Sequence, residues 1–144
     1  MESLSQRLMQ LRMKSGVTQR RLGELIGKSE QAYQKYEYGT AEPSAGALLI
    51  YAVFFHTSIQ YLVTGVETEK KYDEENVTPF SERVKELRKK NHLTQKQVAS
   101  ELGIRYTAYQ AYEYGKSEPN LDHLQQLADL FGVTLDELMG RNEK

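Results

Sequence analysis

Residues 33–43, YQKYEYGTAEP, recur as YQAYEYGKSEP at 109–119, with eight of eleven residues unchanged at a shift of 76. Carried outward without a gap, the same shift aligns Ser5/Ser81 through Thr64/Gly140 and leaves 21 identities in 60 positions. Arg7/Arg83, Leu11/Leu87, Arg12/Arg88, Thr18/Thr94, Gln19/Gln95, Gly27/Gly103 and Leu62/Leu138 are among them. A repeat of that length divides a 144-residue chain into two units of roughly 60 residues. Units so small own little core, so pairing with each other or with a second chain is a natural source of further stability. The boundaries expected are 1–65 and 80–144. Residues 66–79 (VETEKKYDEENVTP) are polar, charged and without apolar periodicity, and read as a charged linker.

Within each unit the apolar spacing is helical. Leu4, Leu8 and Leu11, matched by Phe80, Val84 and Leu87, mark a first helix, with Thr78 and Pro79 as cap and first residue in the second unit. Thr94 with Gln97 resembles a capping box for the second helix, and Thr18 starts the matching helix without that partner. Gly27 and Gly103 suit a sharp turn after it. The third helix covers SEQAYQKYEYG or RYTAYQAYEYG, stopping at its glycine. Ser44 and Asn120 cap a fourth, and Thr134 with Glu137 forms a capping box for a fifth. The expectation is five short helices per unit and no strands.

A small residue in the second helix (Gly23, Ala99), a glycine four positions on, and inward residues six and nine after that (Tyr33 and Tyr36, Tyr109 and Tyr112) make helix-turn-helix spacing. With TQRRL or TQKQV opening the second helix and YEYG…EP closing the third, the chain resembles the Cro and phage-repressor (XRE-type) family of DNA-binding domains, twice over. The resemblance covers about 120 residues and implies an all-α fold of two tandem five-helix, lambda-repressor-like domains. It also implies that the third helix lies in the major groove, with the head of the second near the phosphates. Carried over by position, Gln19 and Gln95 contact the backbone or an adjacent base. Ser29, Glu30, Gln31 and Lys35, with Arg105, Tyr106, Thr107 and Ala111, face the bases, and Thr40 and Lys116 approach phosphate. Arg12 with Glu37, and Arg88 with Glu113, match an ion pair joining first and third helices in several relatives.

All four base-facing positions differ between the units, while Ala32/Ala108, Tyr33/Tyr109, Gln34/Gln110, Tyr36/Tyr112 and Glu37/Glu113 are identical between them. One scaffold is kept and its reading edge rewritten, so the units either read different base sequences or have different jobs. Three departures from the family pattern matter. The family has an aliphatic residue where Tyr33 and Tyr109 stand, so the core must seat a ring and give its hydroxyl a partner. Glu30 accepts from cytosine but repels phosphate. Arg105 replaces a small polar cap, costing about 1 kcal/mol while offering a guanine or phosphate contact. The second unit is the better DNA binder on these grounds.

Charge supports that ranking. The formal net charge is −1, yet residues 80–116 carry eight basic and four acidic side chains, and 117–144 carry two and six. Local fields therefore matter more than the total. With no cysteine there is neither a disulfide framework nor a thiolate metal site. The first residues lack a signal-peptide core, and the apolar run 45–55 is too short to span a bilayer. The expected location is the cytoplasm, on the nucleoid. Neither a nucleophile with its base nor a phosphate-cradling glycine loop is present, so no enzyme, cofactor or metal is expected. His56, His92 and His123 lack ligand-like spacing and read as surface or packing residues.

Two features weigh against simple readings. Aromatics stack on unpaired bases, but the spacing turns Tyr33, Tyr36, Tyr109 and Tyr112 inward, leaving Tyr106 as the exception. In the fourth helix, Leu49, Ile50 and Val53 stand where the second unit has Gln125, Gln126 and Asp129, although both keep an inward set, Leu48, Tyr51, Ala52 and Phe55 against Leu124, Leu127, Ala128 and Phe131. Exposing such side chains forgoes about 1.5 to 3 kcal/mol each, so Leu49, Ile50, Val53 and Phe54 are expected to form an interface. The leading expectation is a double-stranded-DNA-binding transcriptional regulator, a repressor, paired as a homodimer or through its own domains. A 14-residue linker reaching roughly 45 to 50 Å lets one chain engage half-sites about 34 Å apart. The alternative is a protein-interaction module, antitoxin-like or an assembly factor, with a toxin or anti-repressor as partner.

Overall fold

The computed structural model describes residues 2–144, which form two compact units, one ending at Glu69 and the other spanning Lys70–Lys144. The first holds α1 (Leu4–Ser15), α2 (Gln19–Leu25), α3 (Glu30–Tyr38), α4 (Ala45–Phe54) and α5 (Ile59–Thr64). The second opens with β1 (Tyr72–Val77), runs through α6 (Phe80–Lys90), α7 (Gln95–Leu102), α8 (Tyr106–Glu113), α9 (Leu121–Phe131) and α10 (Leu135–Leu138), and closes with β2 (Arg141–Glu143). Two tandem all-α helix-turn-helix domains result, with two short strands added to the second. No described helix is long and apolar enough to cross a membrane.

Polar caps define most helix starts. Ser3, Thr18, Ser29, Ser44 and Ser58 each accept from the amide three residues on, as do Thr94, Asn120 and Thr134 in the second unit. Thr94 and Gln97 form a full reciprocal box. Thr134 accepts from the Glu137 amide, but the Glu137 carboxylate takes the Lys70 ammonium at 2.6 Å. Helix α6 starts one residue later than expected: Pro79 is its N-cap and makes no side-chain cap bond. The Thr78 hydroxyl instead accepts from Arg83 Nη2 at 3.3 Å. Left-handed turns follow the helices, and at two of them the units exchange residue types. His92 (φ 57) stands where the first unit has Gly16 (φ 68), and His56 (φ 54) where the second has Gly132 (φ 66).

In the first unit α1 and α2 pack on α3, while α5 packs on α1 and α4. Leu8, Leu22, Tyr33, Leu48, Tyr51, Ile59 and Leu62 are fully buried there. Tyr33 meets Tyr36 and Tyr51 edge to face at 5.9 and 5.8 Å, and the Tyr51 hydroxyl donates to the Leu22 carbonyl at 2.8 Å. In the second unit Val84, Val98, Tyr109, Leu124, Leu127, Leu135 and Leu138 do the same work. Tyr112 stacks on Tyr109, Phe80 and His123, and its hydroxyl shares a hydrogen bond with His123 Nδ1 at 2.9 Å. Tyr33, Tyr36, Tyr109 and Tyr112 are therefore core, as their spacing implies, and His123 is a packing residue. Of the inward sets on α4 and α9, Phe55 alone is half-exposed, because it is the C-cap of α4 and pairs with Phe54 at 5.1 Å.

The expectation of no strands does not hold. Within 66–79, β1 pairs antiparallel with β2, Tyr72 opposite Glu143 and Asp73 opposite Asn142, with an irregularity before Val77 meets Arg141. Helix α2 also ends at Leu25, two residues short of Gly27. The turn that follows is tight: a Cβ built on Gly23 would lie 2.8 Å from the carbonyl oxygens of both Lys28 and Ser29. The second unit carries Ala99 at this place, buried, with a left-handed Gly103 ending α7. Gly23→Ala is expected to lower the stability of the first unit by about 1 to 3 kcal/mol through this backbone clash. Ala99→Gly should cost only about 1 kcal/mol of helix propensity. Urea denaturation of each variant checks the order, and equal losses would show that the Gly23 turn relaxes freely.

Candidate nucleic-acid interface

The reading edge of each unit is held from beneath by one guanidinium–carboxylate pair. Arg12 on α1 meets Glu37 on α3 with Nε to Oε2 at 2.6 Å and Nη2 to Oε1 at 3.0 Å, and Arg88 meets Glu113 with the same two distances. Both carboxylates are nearly inaccessible, at 2% and 1% side-chain exposure. The third guanidinium donor closes the turn after the first helix, on the Val17 carbonyl in one unit and the Leu93 carbonyl in the other. Burial alone would push Glu37 and Glu113 up, but hydrogen bonds from the arginine and its neighbours outweigh it, leaving both carboxyls below their ordinary range.

From the carboxylate a relay runs outward. Gln19 Nε2 donates to Glu37 at 3.2 Å, and Gln34 Nε2 donates to Gln19 Oε1 at 3.0 Å. The second unit repeats this with Gln95 to Glu113 at 3.0 Å and Gln110 to Gln95 at 3.3 Å. Each relay ties the head of α2 or α7 to the middle of α3 or α8. Gln34 and Gln110 are the members that sequence reasoning left out of the site. Their signal was identity across the repeat at a polar, non-core place.

The residues on the edge differ as their identities require. Ser29, Gln31, Lys35 and Thr40 are exposed, while Gln19 and Glu30 are half-buried. The Ser29 hydroxyl caps α3 on the Ala32 amide at 3.1 Å, and the Thr40 hydroxyl donates to the Lys35 carbonyl at 3.4 Å. In the second unit Arg105, Tyr106, Thr107 and Lys116 are exposed, with Gln95 and Ala111 half-buried. Arg105 occupies the N-cap of α8 without a side-chain capping bond. Tyr106 does not stand alone. Its hydroxyl donates to Gln95 Oε1 at 3.2 Å, and the Lys96 ammonium lies 5.5 Å from its ring centre.

Beneath the edge, burial pushes the Tyr33 and Tyr109 hydroxyls up, and the adjacent Glu37 and Glu113 carboxylates add to it. The expectation that each ring hydroxyl finds a well-formed partner is not met: among the described residues neither makes a hydrogen bond of normal geometry. The identical Arg7 and Arg83 were not assigned a role from sequence. Arg7 caps α5, donating from Nε to the Leu62 carbonyl at 2.9 Å and from Nη2 to the Val63 carbonyl at 2.8 Å. Arg83 donates to the Glu137 carbonyl at 2.6 Å. On α4, Ile50 is 40% exposed, and Leu49, Val53 and Phe54 are half-buried beside it.

The sequence model of the helix-turn-helix family HTH_3 matches residues 8–62 and again 84–138. The chain is 44% identical over 63 residues to the HTH-type transcriptional regulator AnsR of Bacillus subtilis (strain 168), covering 44% of this chain and 54% of that protein. It is 42% identical over 62 residues to the cryptic phage CTXphi transcriptional repressor RstR of Vibrio cholerae serotype O1, covering 43% and 55%. It is 39% identical over 64 residues to the HTH-type transcriptional activator BcrR of Enterococcus faecalis, covering 44% and 31%. The chain thus spans about half or less of the length of these relatives.

Because the folded carboxyls of Glu37 and Glu113 sit below their unfolded value, the stability they contribute is present above about pH 4.3 and is lost as pH falls through the folded value. Glu37→Gln and Glu113→Gln should each cost about 2 kcal/mol at pH 7. The gap to the parent should close as pH is lowered toward 3. Denaturation midpoints at pH 7, 5 and 3 check this, and a gap independent of pH would rule out the charged pair as its source.

Proposed function

This chain belongs to the Cro and phage-repressor (XRE-type) helix-turn-helix family, in two copies, and we infer that it is a sequence-specific, duplex-DNA-binding transcriptional regulator that represses by occupying its operator. The observation that carries the reading is the repeated frame: two guanidinium–carboxylate pairs held to the same distances, each with its glutamine relay beneath a different edge. A rigid frame under exposed polar side chains is what base readout in the major groove needs, since each base edge is read by a fixed donor and acceptor pattern. Repression by occupancy asks for nothing beyond binding.

The two units take unequal shares in this reading. Arg105 offers a bidentate donor for guanine, Gln95 a donor to phosphate or base, and Lys116 a phosphate contact just past α8. These sit in the basic stretch 80–116, which carries four net positive charges. The first unit presents Glu30 on the same edge, which repels phosphate and can accept from a base amine such as that of cytosine. Its α4 carries Ile50 at 40% exposure in an apolar surround. Pairing with a second copy through Leu49, Ile50, Val53 and Phe54 accounts for that face. A second reading, a protein-interaction module built on the same fold, draws on Glu30 and the same apolar face.

Selection from random duplex DNA with the full chain at about 100 mM salt, a stated ionic strength being essential, separates these. Enrichment of two unlike half-sites at one separation is expected, and the absence of any enrichment would favour the interaction module. Arg105→Ala should cost about 1 to 3 kcal/mol and relax preference at one base position, whereas Lys116→Ala should weaken binding evenly and flatten the salt dependence. Equal loss on every sequence from Arg105→Ala would remove it from base readout. Ile50→Asp with Val53→Asp should lower the mass seen in sedimentation, and an unchanged mass would mean that α4 is not a pairing face.

A further inference from the structure

The second unit carries an element that the repeat does not contain. The alignment of the copies ends at Thr64 against Gly140, and beyond Gly140 the chain turns back as β2 to pair with β1. Backbone bonds continue past the ladder at both ends: the Thr78 amide donates to the Gly140 carbonyl at 2.8 Å, and the Lys144 amide to the Lys71 carbonyl at 2.9 Å. Arg141 is the pin. Its Nη1 meets Asp136 at 3.0 Å, with side-chain exposures of 4% and 0%, and its guanidinium lies 4.7 Å from the ring centre of buried Tyr72.

Side chains add to the ladder. Lys70 bridges Glu137 at 2.6 Å and Glu143 at 2.9 Å, and Asn142 donates to the Asn76 carbonyl at 2.9 Å. Arg83, whose counterpart Arg7 reaches the α5 carbonyls, here also hydrogen-bonds the Asn142 side chain. The turn at Gly140 (φ +92) admits no side chain, because a Cβ would lie 1.6 Å from the Thr78 carbonyl oxygen. The pairing is therefore specified by several residues at once, some of which, such as Arg83, also hold the end of α10.

What the pairing changes is the connector. Between α5 and α6 lie 15 residues, 65–79, but with β1 fastened only seven, 65–71, separate α5 from the next element. Fully extended, seven residues span roughly 25 Å rather than the roughly 45 to 50 Å expected of a free 14-residue linker, and fifteen span roughly 50 Å. Resting on the DNA-binding reading above, we propose that Arg141 and Tyr72 are spacing determinants: by fastening β1 to β2 they keep the connector short, so that one chain selects duplexes whose two half-sites lie at one separation. The effective concentration of the second unit at its half-site falls as about the −3/2 power of connector length once the span is met. Doubling the connector therefore lowers affinity at the preferred separation about threefold while admitting separations that the short connector cannot reach.

The test uses the full chain and a panel of duplexes carrying the two half-sites at separations stepped by one base pair. Three proteins are compared: the parent, Arg141→Ala with Tyr72→Ala, and a parent with eight Gly/Ser residues inserted between Glu67 and Thr68. Trypsin cleavage after Lys70 and Lys71 reports fastening without DNA, and binding to a duplex with the second unit's half-site alone reports its folding. The parent should show a narrow optimum. The double variant should be cut faster, and both it and the insertion should keep single-half-site binding, lose about threefold at the optimum and bind over a broader range.

Faster cleavage with an unchanged separation profile would overturn the proposal, as would broadening by the insertion but not by the double variant. Should the double variant lose single-half-site binding, the insertion decides, and an unchanged profile there overturns it. A parent that binds no duplex would instead sink the DNA-binding reading itself.

Discussion

Everything on the reading edge hangs from one kind of contact, the buried guanidinium–carboxylate pair between the first and third helices of each unit. A lone buried carboxylate is costly, and it is tolerated here because Arg12 or Arg88 donates twice and a glutamine donates a third time. The pair has two structural consequences. It fixes the angle at which α3 or α8 crosses α1 or α6, and through the glutamine relay it fixes where the amide at the head of α2 or α7 stands. Loss of the pair therefore costs stability and loosens the edge together. The buried hydroxyls of Tyr33 and Tyr109 feel the same carboxylates, which help to push them up. A larger core residue than the family uses thus serves the electrostatics as well as the packing.

The helices and most of their caps were legible in the sequence from local signals, whereas the ion pairs, which join residues 25 positions apart, were read from the resemblance to the family. Asn120, Ser44 and the glycine after YEY are rules of a few residues that the duplicate tests independently, and Thr94 with Gln97 is such a rule present in the second unit alone of the two helices it would start. Legibility fell wherever the structure depends on contacts between distant residues. The hydroxyl of Tyr106 bonding Gln95 could not be read from either residue, since eleven positions separate them and the first unit has Glu30 in the tyrosine's place. Nor could the caps that Arg7 places on α5 and Arg83 places on α10, although their identity across the repeat marked them as shared structure. The base-facing roles were read from resemblance and position, and of the residues given them the structure leaves Glu30 and Ala111 half-buried and the rest exposed.

Duplication followed by divergence leaves a physical record of which positions the fold can spare. The turn after the first helix is Gly16 in one unit and His92 in the other, and the turn after the fourth is His56 and Gly132, all four left-handed. Histidine is among the residues that enter that region at modest cost. The scaffold therefore tolerates strain at turns remote from the reading edge. The Arg, Gln and Glu of the relay are the same in both copies. The freedom lies in what the relay presents: Ser29, Glu30, Gln31 and Lys35 in one case, Arg105, Tyr106, Thr107 and Ala111 in the other.

The strand pair is the instructive failure of local reading. YDEENV offers one aromatic, three carboxylates and a single valine, a composition poor in strand formers. Alternation is absent too, since only Tyr72 of the six is buried. What makes it a strand is Arg141, nearly seventy residues away, whose charge needs Asp136 and whose flat face needs a ring. Tyr72 supplies the ring, and the backbone of 72–77 follows it into the ladder. A segment that reads as linker by composition is thus conscripted by one buried cation. In a chain whose two units are joined by that segment, the length of the join is a property of the fold, set by Arg141 and Tyr72 rather than by the count of residues between the repeats.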